Sequence, residues 1–157
     1  MALKLSTIAD GTIEVIASID GAIPSDLSKE KFDKYIETLD ESLLELIEGE
    51  HPTRFILRRV LPWALSQKVA NKQMRMDKGE MQPQLSFMTE EVRCSLVGIK
   101  NPESMPEDEK IKYERGSDGG ASEELMSRLV AAGIAMELYY ARSNATKSKQ
   151  RSDPKKS

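Results

Sequence analysis

With 157 residues, of which 39% are hydrophobic and 31% charged, the chain has the length and composition of one globular domain. It contains one histidine and one cysteine, so it cannot assemble a zinc site of the usual Cys/His type or an intramolecular disulfide. No apolar run approaches the ~20 residues of a membrane-spanning helix, and we expect a cytoplasmic protein with no metal or other cofactor.

Charged residues are unevenly distributed along the chain. Residues 26–50 contain nine acidic side chains against three lysines, whereas residues 52–78 contain seven basic side chains against one aspartate. Neighbouring segments of opposite charge most simply attract each other within one fold or across a self-association interface. The alternative is that the basic segment meets phosphate or an acidic protein.

The first predicted element is a strand over residues 12–19, which are rich in β-branched side chains and follow Gly11. Ile13, Val15, Ala17 and Ile19 would share one face of this strand. A single strand is unstable, so it must pair with another. Residues 55–60 and residues 3–8 are the candidates for pairing. Residues 55–60 also fit the start of a helix, and we interpret them as a strand.

A long helix is predicted next, beginning at a Ser25 or Ser28 cap and ending near Glu48, before Gly49. Its apolar residues recur at intervals of three and four: Phe32, Tyr35, Ile36, Leu39, Leu43, Leu46 and Ile47. Its opposite face is acidic. This spacing predicts an amphipathic helix with one apolar stripe buried.

Pro62 suits the first turn of a further helix, which would include Leu65 and Val69 and end at Gly79. Methionines are concentrated in and beyond this segment, at Met74, Met76, Met81 and Met88. Methionine at helical spacing most often fills a core, and a surface that accepts a partner helix is the alternative.

Two amphipathic helices are predicted in the second half of the chain, over residues 89–99 and 122–140. In the first, Val92, Leu96 and Ile99 follow helical spacing. The second has Ser122 as its cap and two glutamates in its first turn. Between them, residues 100–120 are rich in proline, glycine and acidic side chains, which predicts a long exposed loop or a hinge.

Together these elements predict a predominantly helical α+β fold, with a small N-terminal β element packed against amphipathic helices. We expect one globular domain over residues 1–141, with a hinge-like loop near residues 100–120. Residues 142–157 are almost entirely polar and carry many basic side chains. This composition predicts a disordered basic tail.

Neither of the two later amphipathic helices can bury its apolar stripe alone, which favours a binding function over catalysis. The partner-contact candidates are Val92, Leu96, Leu125, Leu129, Met136 and Tyr140. The alternative for each is an ordinary place in the core, which we expect for at least half of them. Reactive side chains are few, so we expect no catalytic residue and no enzymatic activity.

Nucleic-acid binding is the second interpretation of the sequence. Clustered positive charge could neutralise phosphates, with Trp63 available to stack on a base. The candidate residues are Arg54, Arg58, Arg59, Lys68 and Lys72. Against this, the sequence pI is about 5.4 and no zinc-finger or RNA-recognition signature is present.

The layout resembles the tail assembly chaperones of long-tailed bacteriophages over about residues 53–141. The features that carry the resemblance are the strand-like residues 12–19, the Phe-Ile-Leu-Arg-Arg segment at 55–59, and the helix-like segment from Glu90 to an Asn-Pro turn at 101–102. An acidic loop and the final amphipathic helix follow in the same order. The predicted helix over residues 28–48 is longer and more acidic than the family pattern.

The resemblance implies a non-enzymatic cytoplasmic factor that binds the tape measure protein, keeps its long apolar helices soluble and recruits tail tube subunits. Self-association would be compatible with such a role. A structural component of the virion neck or tail is a further interpretation, separable from a chaperone by whether it stays in purified particles.

Overall fold

The structure is a computed structural model that describes residues 11–76 and 83–151, with side chains for residues 11–71 and 86–146. The described residues form three strands and five α-helices. They are β1 Thr12–Val15, α1 Lys29–Thr38, β2 Arg54–Arg58, α2 Trp63–Met76, α3 Pro83–Ser95, β3 Leu96–Lys100, α4 Glu123–Ala131 and α5 Ile134–Arg151. The predicted fold class, a predominantly helical α+β fold, is confirmed.

The sheet is antiparallel, with the strand order β1-β2-β3. Val15 lies opposite Phe55, and Phe55 lies opposite Ile99. In β2, Phe55 and Leu57 point into the core and are buried, as the alternating pattern of the sequence predicts. The strand prediction for this segment is therefore confirmed, and residues 3–8 lie outside the described part of the chain.

The main core lies between the sheet and the helices. Its buried side chains come from all three strands and from α1, α3, α4 and α5, and include Val15, Tyr35, Leu96, Leu129 and Leu138. A smaller cluster joins α2 to α3 through Leu65, Val69 and Cys94. As predicted, α2 begins directly after Pro62, whose carbonyl accepts a hydrogen bond from the Ser66 N–H at 2.9 Å.

The first strand is shorter than predicted. It ends at Val15, because the next N–H, that of Ile16, donates to the Tyr35 hydroxyl at 2.9 Å instead of to another strand. Residues 17–20 then turn, with the Asp20 N–H bonded to the Ala17 carbonyl. Ile16 is buried and Ile19 is 65% exposed, so the predicted common face ends with the strand.

The long helix predicted over residues 28–48 is also shorter. Ser28 caps α1 as predicted, accepting a hydrogen bond from the Lys31 N–H. The helix ends at Thr38, because Leu39 has left-handed backbone geometry, with φ of 60°. The Asp40 side chain then caps a short 3-10 helix, Glu41–Leu44.

The two predicted later helices are both interrupted. Residues 89–99 are helical only to Ser95, and Leu96–Lys100 form β3, because pairing with β2 provides backbone hydrogen bonds that outweigh the helical spacing. Residues 122–140 form two helices, with Gly133 at φ of 77° between them. The predicted Ser122 cap is confirmed by its hydrogen bond from the Leu125 N–H at 3.1 Å.

Residues 101–122 form a long connection with one short 3-10 helix, Glu107–Glu109. The Asn101 side-chain amide donates to the Ile111 carbonyl at 2.9 Å, and the Tyr113 hydroxyl donates to the Leu96 carbonyl at 3.1 Å. The predicted long loop is therefore present and bonded to the body of the protein. Hinge motion in it stays a prediction.

The prediction that a disordered tail begins at residue 142 is wrong for residues 142–146. Helix α5 continues to Arg151, the Arg142 side chain is buried, and the Asn144 amide donates to the Ile36 carbonyl at 3.3 Å. Composition suggested disorder because so few apolar side chains remain, but Arg142 and Asn144 bond polar groups of the folded body. Residues 152–157 lie outside the described part of the chain.

Candidate partner-binding groove

A large groove lies between α1, α5 and the turn segment of residues 18–28. Its volume is about 1060 Å³, at the top of the roughly 300–1,000 Å³ range of small-molecule sites. Residues 18–29 provide most of one wall and α1 provides another. Its apolar lining includes Ile19, Phe32, Ile47, Met136 and Tyr140.

The wall formed by residues 18–28 is held in place by hydrogen bonds to two carboxylates. Asp20 accepts from the Ala22 N–H at 2.9 Å and from the Thr53 N–H at 2.8 Å. Glu137 of α5 accepts from the N–H of Ser18 at 2.9 Å and from its hydroxyl at 2.6 Å. The groove is therefore preformed, since both carboxylates fix the segment to other parts of the fold.

The groove exposes apolar side chains that a folded protein normally covers. Ile19 is 65%, Tyr140 51% and Ile47 43% exposed. Met136 and Phe32 are half-buried within the same lining. A contiguous apolar surface of this kind marks a site for a ligand or a partner protein.

The six predicted partner-contact residues separate into two groups. Val92, Leu96, Leu125 and Leu129 are all at most 2% exposed and belong to the main core, so they form no partner surface in this structure. A core position is the alternative that we expect from the sequence for at least half of the six residues. Met136 and Tyr140 instead line the groove.

Ile19 and Ile47 line the groove although the sequence does not predict them as site residues. The sequence pattern places Ile19 on the apolar face of a strand and Ile47 on the buried stripe of a helix. Both elements end earlier than predicted, and the turns that replace them leave the two side chains exposed. The local signals available were Asp20-Gly21 after Ile19 and Gly49 after Ile47, both typical of turns.

The predicted nucleic-acid residues are largely matched by internal partners. Arg54 forms an ion pair with Glu41, and Lys68 forms one with Asp118 at 2.7 Å. A guanidinium nitrogen of Arg58 donates to the Gly119 carbonyl at 3.4 Å. The Arg59 side chain is partly buried, and the Lys72 side chain lies outside those described.

The Arg54–Glu41 pair joins the basic and the acidic segments within the fold, as the simpler interpretation of the charge distribution predicts. The same guanidinium lies 3.9 Å from Glu14. Hydrogen bonding to Glu41 is the main cause that raises the pKa of Arg54. This arginine is therefore occupied by carboxylates of its own chain.

A second polar cluster surrounds Arg93. Its guanidinium bonds Glu90 at 2.8 Å, Asp118 at 2.7 Å and the Ala121 carbonyl at 3.0 Å. The hydrogen bonds that Arg93 donates to Glu90 and Asp118 raise its pKa, and those that Asp118 accepts from Arg93 and Lys68 lower the pKa of Asp118. The cluster joins α3 to the end of the long connection.

Cys94 lies beside this cluster with no exposed surface. Burial first, and the charge of Glu90 second, raise the pKa of its thiol to about 12. A thiol with this pKa is not a nucleophile near neutral pH. His51, the other residue considered for a catalytic pair, is exposed.

Within the part of the chain that the structure describes, no three His, Cys, Asp or Glu side chains come together as a metal-ion site. No helix among the same residues is both long and apolar enough to cross a membrane. Compared with protein-family models, with curated proteins and with solved structures, the chain matches none of them.

Proposed function

We propose that this protein is a non-enzymatic binding protein that holds an apolar segment of a partner protein in the groove between α1 and α5. The observation that carries the proposal is the exposure of Ile19, Ile47 and Tyr140 in one preformed groove. An amphipathic helix that lays its apolar face in such a groove is a recurring mode of peptide recognition.

The resemblance described above supplies the class of partner. On that basis, we propose a cytoplasmic tail assembly chaperone that keeps the apolar helices of a tape measure protein soluble and recruits tail tube subunits. A helix binder of this kind needs one open apolar surface on an otherwise closed fold. Leu125 and Leu129 are buried in the core, whereas Tyr140 is exposed, which supports one open apolar surface on a closed fold.

The experiment is co-expression with a tape measure protein encoded beside the gene, with the soluble fraction of the tape measure protein as the readout. Ile19→Ser and Tyr140→Ser remove apolar contact from the groove at positions that are more than half exposed, so the fold should be retained. We expect each variant to lower the soluble fraction, and the two together to lower it further.

Val60→Ser is the matched control, because Val60 is apolar, 75% exposed and not part of the groove. It should leave the soluble fraction unchanged. If the tape measure protein has the same soluble fraction with the groove variants as with the wild-type protein, the proposed site is refuted. Recovery of the protein as a stoichiometric part of purified particles would favour a structural virion component over a chaperone.

A further inference from the structure

We infer that the groove selects amphipathic segments whose apolar face is flanked by lysine or arginine. This inference rests on the proposed function and specifies the chemistry of the partner. Its basis is the charge of the groove and of the segment that forms it, in which acidic side chains outnumber basic ones beside the exposed apolar side chains.

The acidic character comes from the chain segment that forms most of the groove. Residues 18–50 contain ten acidic side chains and three lysines. Asp20, Asp33 and Glu137 line the groove directly, and so does Lys29, which forms an ion pair with Asp33 at 2.9 Å. Asp26 lies in the chain between the lining residues Ser25 and Leu27, and Glu48 follows the lining residue Ile47.

Most of this negative charge is not paired with a basic side chain among those that the structure describes. Among the described side chains, the ion pairs of this segment are Lys29–Asp33, Lys31–Glu45 and Arg54–Glu41. Within the described part of the chain, Asp20 and Glu137 accept hydrogen bonds from backbone N–H groups and a serine hydroxyl, all of them neutral donors. Neither carboxylate is therefore paired with a described cation.

A groove whose apolar side chains lie beside acidic ones discriminates between segments that are equally hydrophobic but differ in charge. Acidic flanks would meet charge of the same sign, whereas basic flanks would be attracted and guided to the groove. Charge matching of this kind mainly sets specificity and association rate, while the apolar contacts with Ile19, Ile47 and Tyr140 supply most of the affinity.

The test uses the full chain and three fluorescent helical peptides of equal length. The first has leucines at intervals of three and four with lysines beside them, the second replaces those lysines with glutamates, and the third is a scrambled form of the first. Binding is followed by fluorescence anisotropy at about 0.1 M and about 1 M salt, where the Debye length is about 10 Å and about 3 Å.

We expect the lysine peptide to bind at least about 10-fold more tightly than the glutamate peptide at the lower salt concentration, and this ratio to shrink at the higher one. The double variant Asp26→Asn with Asp33→Asn should reduce the ratio. The control is Asp108→Asn with Glu109→Gln, which removes two exposed acids from the long connection, away from the groove lining. It should leave the ratio unchanged.

Equal binding of the lysine and glutamate peptides, abolished by Ile19→Ser, would overturn this inference and leave the proposed function intact. Binding of neither peptide would overturn both. Equal binding of the scrambled lysine peptide would also overturn the inference, because charge without an apolar face would then be sufficient.

Discussion

Tyr35 is among the largest side chains in the molecule without exposed surface, and its hydroxyl accepts the Ile16 N–H at 2.9 Å. Tyr35→Phe leaves that buried N–H without a partner, so we expect the free energy of unfolding to fall by about 1–3 kcal/mol. Urea denaturation at neutral pH measures the change. Tyr140→Phe, at a side chain that is 51% exposed, is the control and should stay within about 0.5 kcal/mol of wild type.

The Tyr35 contribution should also depend on pH. Burial is the main cause that raises its pKa from 10.0 to about 12. Between those values the unfolded chain holds fewer protons than the folded one, so the stability that wild type has over Tyr35→Phe is complete below pH 10 and declines as pH rises toward 12. A difference that stays constant across that window would contradict this assignment.

Cys94 should be inert in the folded protein. Its thiol is fully buried, and its pKa is raised to about 12. Because labelling requires local or global opening, we expect iodoacetamide to react at least about 100-fold more slowly with the native than with the urea-unfolded protein. Cys94→Ala with Ser117→Cys is the comparison, since residue 117 is exposed. Equal labelling of both native thiols would refute the prediction.

At the level of elements, the break between α4 and α5 depends on Gly133. Its φ is 77°, and nothing lies within 4 Å of a methyl group placed there, so a substitution tests backbone strain and not crowding. We expect Gly133→Ala to lower the free energy of unfolding by about 1–2 kcal/mol. Gly21→Ala is the matched control, because Gly21 has equal space without a left-handed φ, and it should be neutral or slightly stabilising.

Helix α5 needs residues beyond the predicted domain boundary. Arg142 donates to the carbonyls of Arg58 at 2.8 Å and Arg59 at 2.9 Å, and pairs with Glu91 at 2.7 Å. A chain that ends at residue 141 leaves Glu91 and both carbonyls unpaired, and we expect a loss of about 3–5 kcal/mol. A chain that ends at residue 146 should retain most of the stability. Equal thermal unfolding of the two would contradict this role.

Sequence patterns identified the elements better than their ends. Apolar alternation predicts β2, and capping serines predict the starts of α1 and α4, because these signals depend on neighbours along the chain. Apolar spacing does not predict β3, because Leu96 and Ile99 are three residues apart, which fits a helical stripe and not the alternation of a regular strand. Pairing with a strand about forty residues earlier decides between them, and local sequence does not record that pairing.

For the whole molecule, the same limit applies to the candidate site. Helical spacing selected Met136 and Tyr140, which line the groove, together with four leucine and valine side chains that are core. Periodicity identifies an apolar face, and only the packing of other elements shows which part of that face stays open. The groove depends on α1 ending at Thr38, through the backbone geometry of Leu39, and on β1 ending at Val15, through a hydrogen bond to Tyr35 that lies distant in the sequence.

The charge distribution of the whole molecule predicts that Arg54 and Lys68 do not contact the phosphates of a nucleic acid. Arg54 and Lys68 already form ion pairs with Glu41 and Asp118, so a phosphate would have to displace a carboxylate held by the fold. A cation that contacts a phosphate of single-stranded DNA contributes about 0.7 to the slope of log affinity against log salt. We therefore expect Arg54→Gln and Lys68→Gln to leave that slope unchanged in anisotropy titrations with single-stranded DNA. A decrease of about 0.7 for either variant would instead place that residue on the DNA backbone and favour a nucleic-acid function.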